Sequence, residues 1–131
     1  MKIEQLSISA AGKWARDCEL LCLSECKRLT LTYVKEEDET CWQLQCEHVL
    51  AYKVISEEFS TVGYLINMPV EGAFYEILDS PWITEFKDFN QGILNKCKHY
   101  VMQFYDETVE IIAQNFIFKQ LKEIPAEFAD Y

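Results

Sequence analysis

The clearest pattern along the chain is the alternation of apolar and polar residues between Trp42 and Val54. Every second position is apolar apart from one histidine; these positions are Trp42, Leu44, Cys46, His48, Leu50, Tyr52 and Val54. A period of two places alternate side chains on opposite faces of a β-strand. The pattern therefore predicts a long, bent or twisted, half-buried strand with Trp42, Leu44 and Leu50 in the core.

The residues before this strand indicate an antiparallel arrangement. Leu29–Val34 alternates in the same way and is rich in Thr, Tyr and Val, which suit a pleated sheet. A further strand is predicted near residues 18–24, with residues 24–27 as the turn between the two. The charged stretch Lys35–Thr40 has no apolar residue and predicts the exposed loop of a hairpin. Residues 1–17 leave strand and helix both open, with a short strand at Leu6–Ile8 as one interpretation.

The second half of the chain is also predicted to be mainly β. Ala73–Leu78 is a strand candidate, and residues 56–70 form a connection with one short strand. Residues 99–121 alternate, but the pattern slips at Gln114–Asn115, where one extra residue, a β-bulge, would restore the register. A helix over residues 106–121 also fits, although the β-branched and aromatic residues favour strands.

One short helix is predicted near residues 80–90. The sequence Asp79-Ser80-Pro81-Trp82 offers a side chain that can cap free backbone N–H groups, followed by a proline at the first helical position. Trp82, Phe86 and Phe89 then recur on one helical face. These three rings are predicted to cover the core of the sheet, and the alternative is a partner-binding surface.

Length and composition set the fold class. The 131 residues, half of them hydrophobic, fit a single domain over residues 1–131. We expect a mainly β (α+β) fold with a single antiparallel sheet, curved into a sandwich or partial barrel, and one short helix. No apolar run approaches the ~20 residues that span a bilayer, and the N-terminus lacks a signal-peptide segment, so we expect a cytoplasmic protein.

The charge narrows the choice of partners. With 22 acidic and 12 basic residues, the net charge is −10. Nucleic acid and anionic membrane are therefore disfavoured, because binding phosphate requires a basic face. A basic protein partner is allowed through electrostatic steering. The oligomeric state is not indicated.

The motifs of common enzymes are missing from the sequence. There is no phosphate-binding glycine loop, no HExxH and no GxSxG, so no catalytic residue and no cofactor is predicted. The six cysteines form no CxxC pair and are expected to be reduced, buried and free of metal. Cys97 and His99 would point the same way on one strand, but ~7 Å apart, which is too far for direct contact.

These observations favour a non-catalytic protein–protein interaction module over an enzyme. The alternative is a small-molecule-binding or enzymatic β barrel with a pocket near His48 and Tyr52. A histidine on the apolar face of a strand, such as His48, is more often a buried core residue whose ring is hydrogen-bonded.

Overall fold

The computed structural model describes residues 1–12, 16–26, 28–56 and 72–128. Seven strands form one antiparallel sheet: β1 (Lys2–Gln5), β2 (Cys18–Cys26), β3 (Arg28–Lys35), β4 (Thr40–Ser56), β5 (Phe74–Leu78), β6 (Lys98–Gln103) and β7 (Glu107–Leu121). The helices are two single turns, α1 (Pro81–Thr84) and α2 (Gln91–Leu94), besides 3-10 turns at Ser9–Ala11 and Ala126–Phe128. No helix in this part of the chain is long and apolar enough to cross a membrane.

The strand order is β1-β5-β6-β7-β4-β3-β2. Two meanders, β2–β3–β4 and β5–β6–β7, are joined by the long pairing of β4 with β7, and β1 adds to the outer edge of β5. The predicted fold class, a mainly β protein with a single antiparallel sheet, is confirmed. Because β1 and β2 lie at opposite ends, the sheet of the described residues is open, not a closed barrel.

A large apolar cluster lies on one face of the sheet. Phe74 of β5 packs against Phe116 and Phe118 of β7, with ring centroids 5.0 and 5.2 Å apart, so the sheet curves around this cluster. The fully buried members include Leu31, Tyr33, Leu44, Met102, Phe104 and Ile111. The opposite face carries a small apolar cluster around Ile77 and Val101, and α1 packs there against β6.

The strand predicted from Trp42 to Val54 is the centre of β4. Leu44 is fully buried, whereas Trp42 and Leu50 are only half-buried, so the prediction that all three are core residues is wrong for two of them. The reason for Leu50 is a register shift between Val49 and Ala51, which breaks the alternation.

Of the two hairpin turns before β4, the one between β3 and β4 follows the sequence prediction and the one between β2 and β3 does not. Residues 36–39 are an exposed turn between β3 and β4. The Asp38 carboxylate closes this turn by accepting hydrogen bonds from Thr40 N and Oγ1 at 3.1 and 2.5 Å. The turn predicted at residues 24–27 was placed too early, because Ser24 and Glu25 still pair with Thr30 and Leu29.

The C-terminal region is β-strand, and the helical alternative for residues 106–121 is wrong. The slip in the apolar pattern at Gln114–Asn115 is present, since residues on both sides of it pack in the same cluster. The extra residue, however, lies in the partner strand β4 and not in β7. The pairing has no register shift at Gln114–Asn115, where Asn115 lies opposite Glu47, so the β-bulge predicted in β7 is wrong.

Three smaller expectations had different outcomes. The strand at Leu6–Ile8 is wrong, because β1 lies earlier in the chain, at Lys2–Gln5. The helix begins as predicted but ends at Thr84, and a separate helix follows, capped by Asn90 through hydrogen bonds from the Gly92 and Ile93 N–H groups. The short strand expected within residues 56–70 lies outside the described residues.

Candidate functional site

Three polar side chains form a buried row beneath α1. Ser80 Oγ lies 2.7 Å from His99 Nδ1, and His99 Nε2 lies 2.8 Å from Glu110 Oε1. Ser80 is 5% exposed, and His99 and Glu110 are 0% exposed. Polar groups buried this completely are usually hydrogen-bonded, and here Ser80 Oγ, both ring nitrogens of His99 and Glu110 Oε1 each have a partner.

The sheet brings these residues together from distant parts of the sequence. His99 lies on β6 and Glu110 on β7, and Val101 of β6 pairs with Glu110, so both polar side chains lie on the face that α1 covers. Ser80 follows β5, where Asp79 adopts a left-handed φ of 52° and turns the chain into α1. The row thus spans three neighbouring elements.

The helix cap is consistent with one direction for each hydrogen bond. Ser80 Oγ accepts a hydrogen bond from the Ile83 N–H at 3.1 Å, so its own hydroxyl hydrogen can be donated to His99 Nδ1. The proton of a neutral imidazole then sits on Nε2 and is donated to the Glu110 carboxylate. This assignment rests on the hydrogen-bond pattern, as histidine tautomers generally do.

Lys53 connects the buried row to solvent. Its Nζ lies 3.5 Å from Glu110 Oε2 and 4.3 Å from the centroid of the Trp82 ring. Trp82 in turn contacts His99 edge-on, with centroids 5.3 Å apart. A buried carboxylate is tolerated when a cation and hydrogen bonds compensate its charge, and Lys53 supplies the cation here.

Serine, histidine and a carboxylate in series are also the groups that many hydrolases use for nucleophilic attack. A cavity of about 360 Å³ adjoins Ser80 and His99. In this structure, however, Ser80 Oγ already caps α1, and the reacting atoms are almost entirely buried. The cap and the burial favour a structural role in which the row fixes α1 to the sheet.

The two residues proposed as a ligand site from sequence lie near each other but differ in their surroundings. His48 is exposed, with a left-handed φ of 55°, so its interpretation as a buried core histidine is wrong. It borders a cavity of about 480 Å³. The Tyr52 hydroxyl donates to Glu25 Oε2 at 2.9 Å, and Glu25 borders the same cavity. This hydrogen bond raises the pKa of Tyr52.

The three rings proposed as a partner surface do not share a helical face, because α1 ends at Thr84. Trp82 and Phe86 are half-buried, and Trp82 is engaged with Lys53 and His99. Phe89 is 42% exposed. The role of these rings in partner binding stays a prediction.

The buried thiols are chemically protected. Burial raises the pKa of Cys18 and of Cys46 to about 12, and Cys18 Sγ donates to the Ala11 carbonyl at 3.3 Å. Cys97 precedes β6, and its Sγ donates a hydrogen bond to the Ile93 carbonyl at 3.5 Å. None of these thiols has the lowered pKa of a reactive cysteine.

Sequence reasoning missed the buried row, although one signal for it was available. Glu110 lies between Val109 and the pair Ile111–Ile112, and a charge inside an apolar run needs a partner. The sequence did not indicate which residue that partner would be.

Fold and geometry thus define the class, an open antiparallel β-sheet protein with a buried serine–histidine–glutamate row. No protein-family model, curated protein or solved structure matches the chain.

Proposed function

We propose that this protein is a non-catalytic protein-binding module whose partner presents a basic surface. The observation that carries the proposal is the exposed β3–β4 turn, where four acidic residues, Glu36 to Glu39, follow one another in a chain of net charge −10. Concentrated surface charge of one sign attracts a partner of the opposite sign and raises the rate of encounter.

The non-catalytic part of the proposal is supported by the burial of Ser80 and His99 beneath α1. A fluorophosphonate probe tests it, because such probes modify accessible, activated serines. We expect no labelling of the folded protein. Labelling that the Ser80→Ala substitution removes would contradict a non-catalytic role.

The binding part is tested by association kinetics with any basic protein recovered from the native host. The association rate should fall steeply with salt, since the Debye length shrinks from ~10 Å at 0.1 M to ~3 Å at 1 M. The dissociation rate should change much less, because short-range contacts determine it. An acidic partner, or an association rate that does not respond to salt, would refute the proposal.

A charge-matched pair of variants locates the effect. The first replaces Glu36, Glu37 and Glu39 by glutamine and keeps Asp38, which closes the turn. The control replaces three exposed acids elsewhere, Glu4, Glu85 and Glu123, in the same way. Both variants lose the same formal charge, so only a contact at the turn predicts a slower association for the first than for the second.

A further inference from the structure

An unusual backbone conformation marks the middle of β4. His48 has a φ of 55° within a 17-residue strand, immediately before the register shift at Val49–Ala51. Left-handed conformations are uncommon for residues other than glycine and persist where the surrounding structure enforces them, often at functional sites. His48 borders the cavity of about 480 Å³.

The side chains around this cavity divide into three chemical groups. Arg28 and His48 supply hydrogen-bond donors, Glu25 supplies a carboxylate, and Leu29 and Val49 supply an apolar surface. A cavity of this volume falls within the ~300–1,000 Å³ that is typical of small-molecule sites.

The donors retain capacity for a ligand. Arg28 directs Nη1 to Gln45 Oε1 at 2.9 Å and to Glu47 Oε1 at 3.7 Å. Within the described part of the chain, Nη2 and Nε of Arg28 and the His48 imidazole make no hydrogen bond to another residue. The Tyr52 hydroxyl donates a hydrogen bond to Glu25 Oε2, which leaves Glu25 Oε1 as an acceptor.

We propose that this cavity binds a free α-amino acid with an apolar side chain. The carboxylate of the ligand pairs with Arg28 and His48, its ammonium group with Glu25, and its side chain with Leu29 and Val49. Glu25 repels a simple carboxylate, and Arg28 repels a simple amine, so both charges must be present on one small molecule. The proposal does not depend on the existence of a protein partner.

The chain contains only two histidines, which makes NMR of the histidine ring C–H groups a direct test. His48 borders the cavity, and the fully buried His99 is an internal reference. A His48→Asn variant assigns the signals, because asparagine also tolerates a left-handed φ. The probes are L-leucine, L-methionine and L-phenylalanine, each added to the whole chain.

We expect at least one of these amino acids to shift the His48 signals in a saturable manner and to leave those of His99 unchanged. Two half-molecules of leucine, 4-methylpentanoate without the amine and 3-methylbutylamine without the carboxylate, should bind at least tenfold more weakly. Absence of a His48 shift with all three amino acids, or equal binding of the half-molecules, would overturn the proposal.

Substitutions assign the two ends of the ligand. Arg28→Gln and Glu25→Gln should each weaken binding at least tenfold, whereas Lys98→Gln, which removes an exposed charge outside the cavity, should not. The shift of the His99 signals serves as a check that each variant is folded. Unchanged affinity in the folded Arg28 and Glu25 variants would show that the amino acid binds elsewhere.

Discussion

Removal of the Ser80 hydroxyl tests whether the buried row fixes α1 to the sheet. In Ser80→Ala, the Ile83 N–H loses its cap, at a cost of about 1 kcal/mol. Nδ1 of the fully buried His99 also loses its hydrogen-bond partner at 2.7 Å, at a further cost of about 1–3 kcal/mol. We therefore expect the free energy of unfolding to fall by about 2–4 kcal/mol, a large part of the total for a domain of this size.

The measurement is equilibrium unfolding in urea, followed by tryptophan fluorescence, with the m-value as a check that the transition is unchanged. Asn90→Ala provides a matched control. Asn90 Oδ1 caps α2 by accepting from the Gly92 N–H at 2.9 Å, but Asn90 is exposed and, within the described residues, its side chain has no buried partner like His99. The Asn90→Ala substitution should lower the free energy of unfolding by only about 1 kcal/mol. Equal losses in the two variants would show that the Ser80–His99 hydrogen bond contributes nothing to stability.

Three further predictions concern the core, the thiols and the hairpin. Leu44→Ala should cost about 2–5 kcal/mol and clearly more than Leu50→Ala in the same urea experiment, because Leu44 is fully buried and Leu50 is not; a larger cost for Leu50 would contradict the register of β4. Burial raises the pKa of Cys18 and Cys46 from 9.0 to about 12, so above pH 9 the unfolded chain binds fewer protons than the folded one and stability falls. Cys46→Ala should reduce that alkaline loss, and an identical pH profile would refute the assignment. Glu39 has a φ of 59°, so Glu39→Gly should raise the thermal midpoint by relieving up to about 1 kcal/mol of backbone strain, and Glu39→Ala should not.

Local patterns in the sequence were sufficient to predict most of the strands. The alternation in Leu29–Val34 and Trp42–Val54 is direct evidence of half-buried strands, and β3 and β4 contain both segments. The start of α1 was equally well marked, because capping by Ser80 and the proline that follows it are local features.

Features that depend on contacts between distant residues were not predictable in this way. The register shift in β4 is defined only by its partner β7, so the sequence placed the extra residue in the wrong strand. His99 and Glu110 meet because β6 and β7 are neighbours, and Ser80 joins them because α1 folds back over that pair. A single sequence lists these three residues without indicating that they touch.

The pairing of β4 with β7 also determines the order in which the chain can assemble. The β2–β3–β4 meander is contiguous in sequence and needs only short loops. The pairing of Ser56 with Glu107, in contrast, closes a long loop of the chain. Loop-closure entropy makes such non-local pairing slow, so we expect the meander to form first. During synthesis from the N-terminus, the longest strand of the sheet therefore has an unpaired edge until residues 107–121 have left the ribosome. Unpaired edges promote aggregation, and a nascent chain halted before β7 is the species that most needs a chaperone.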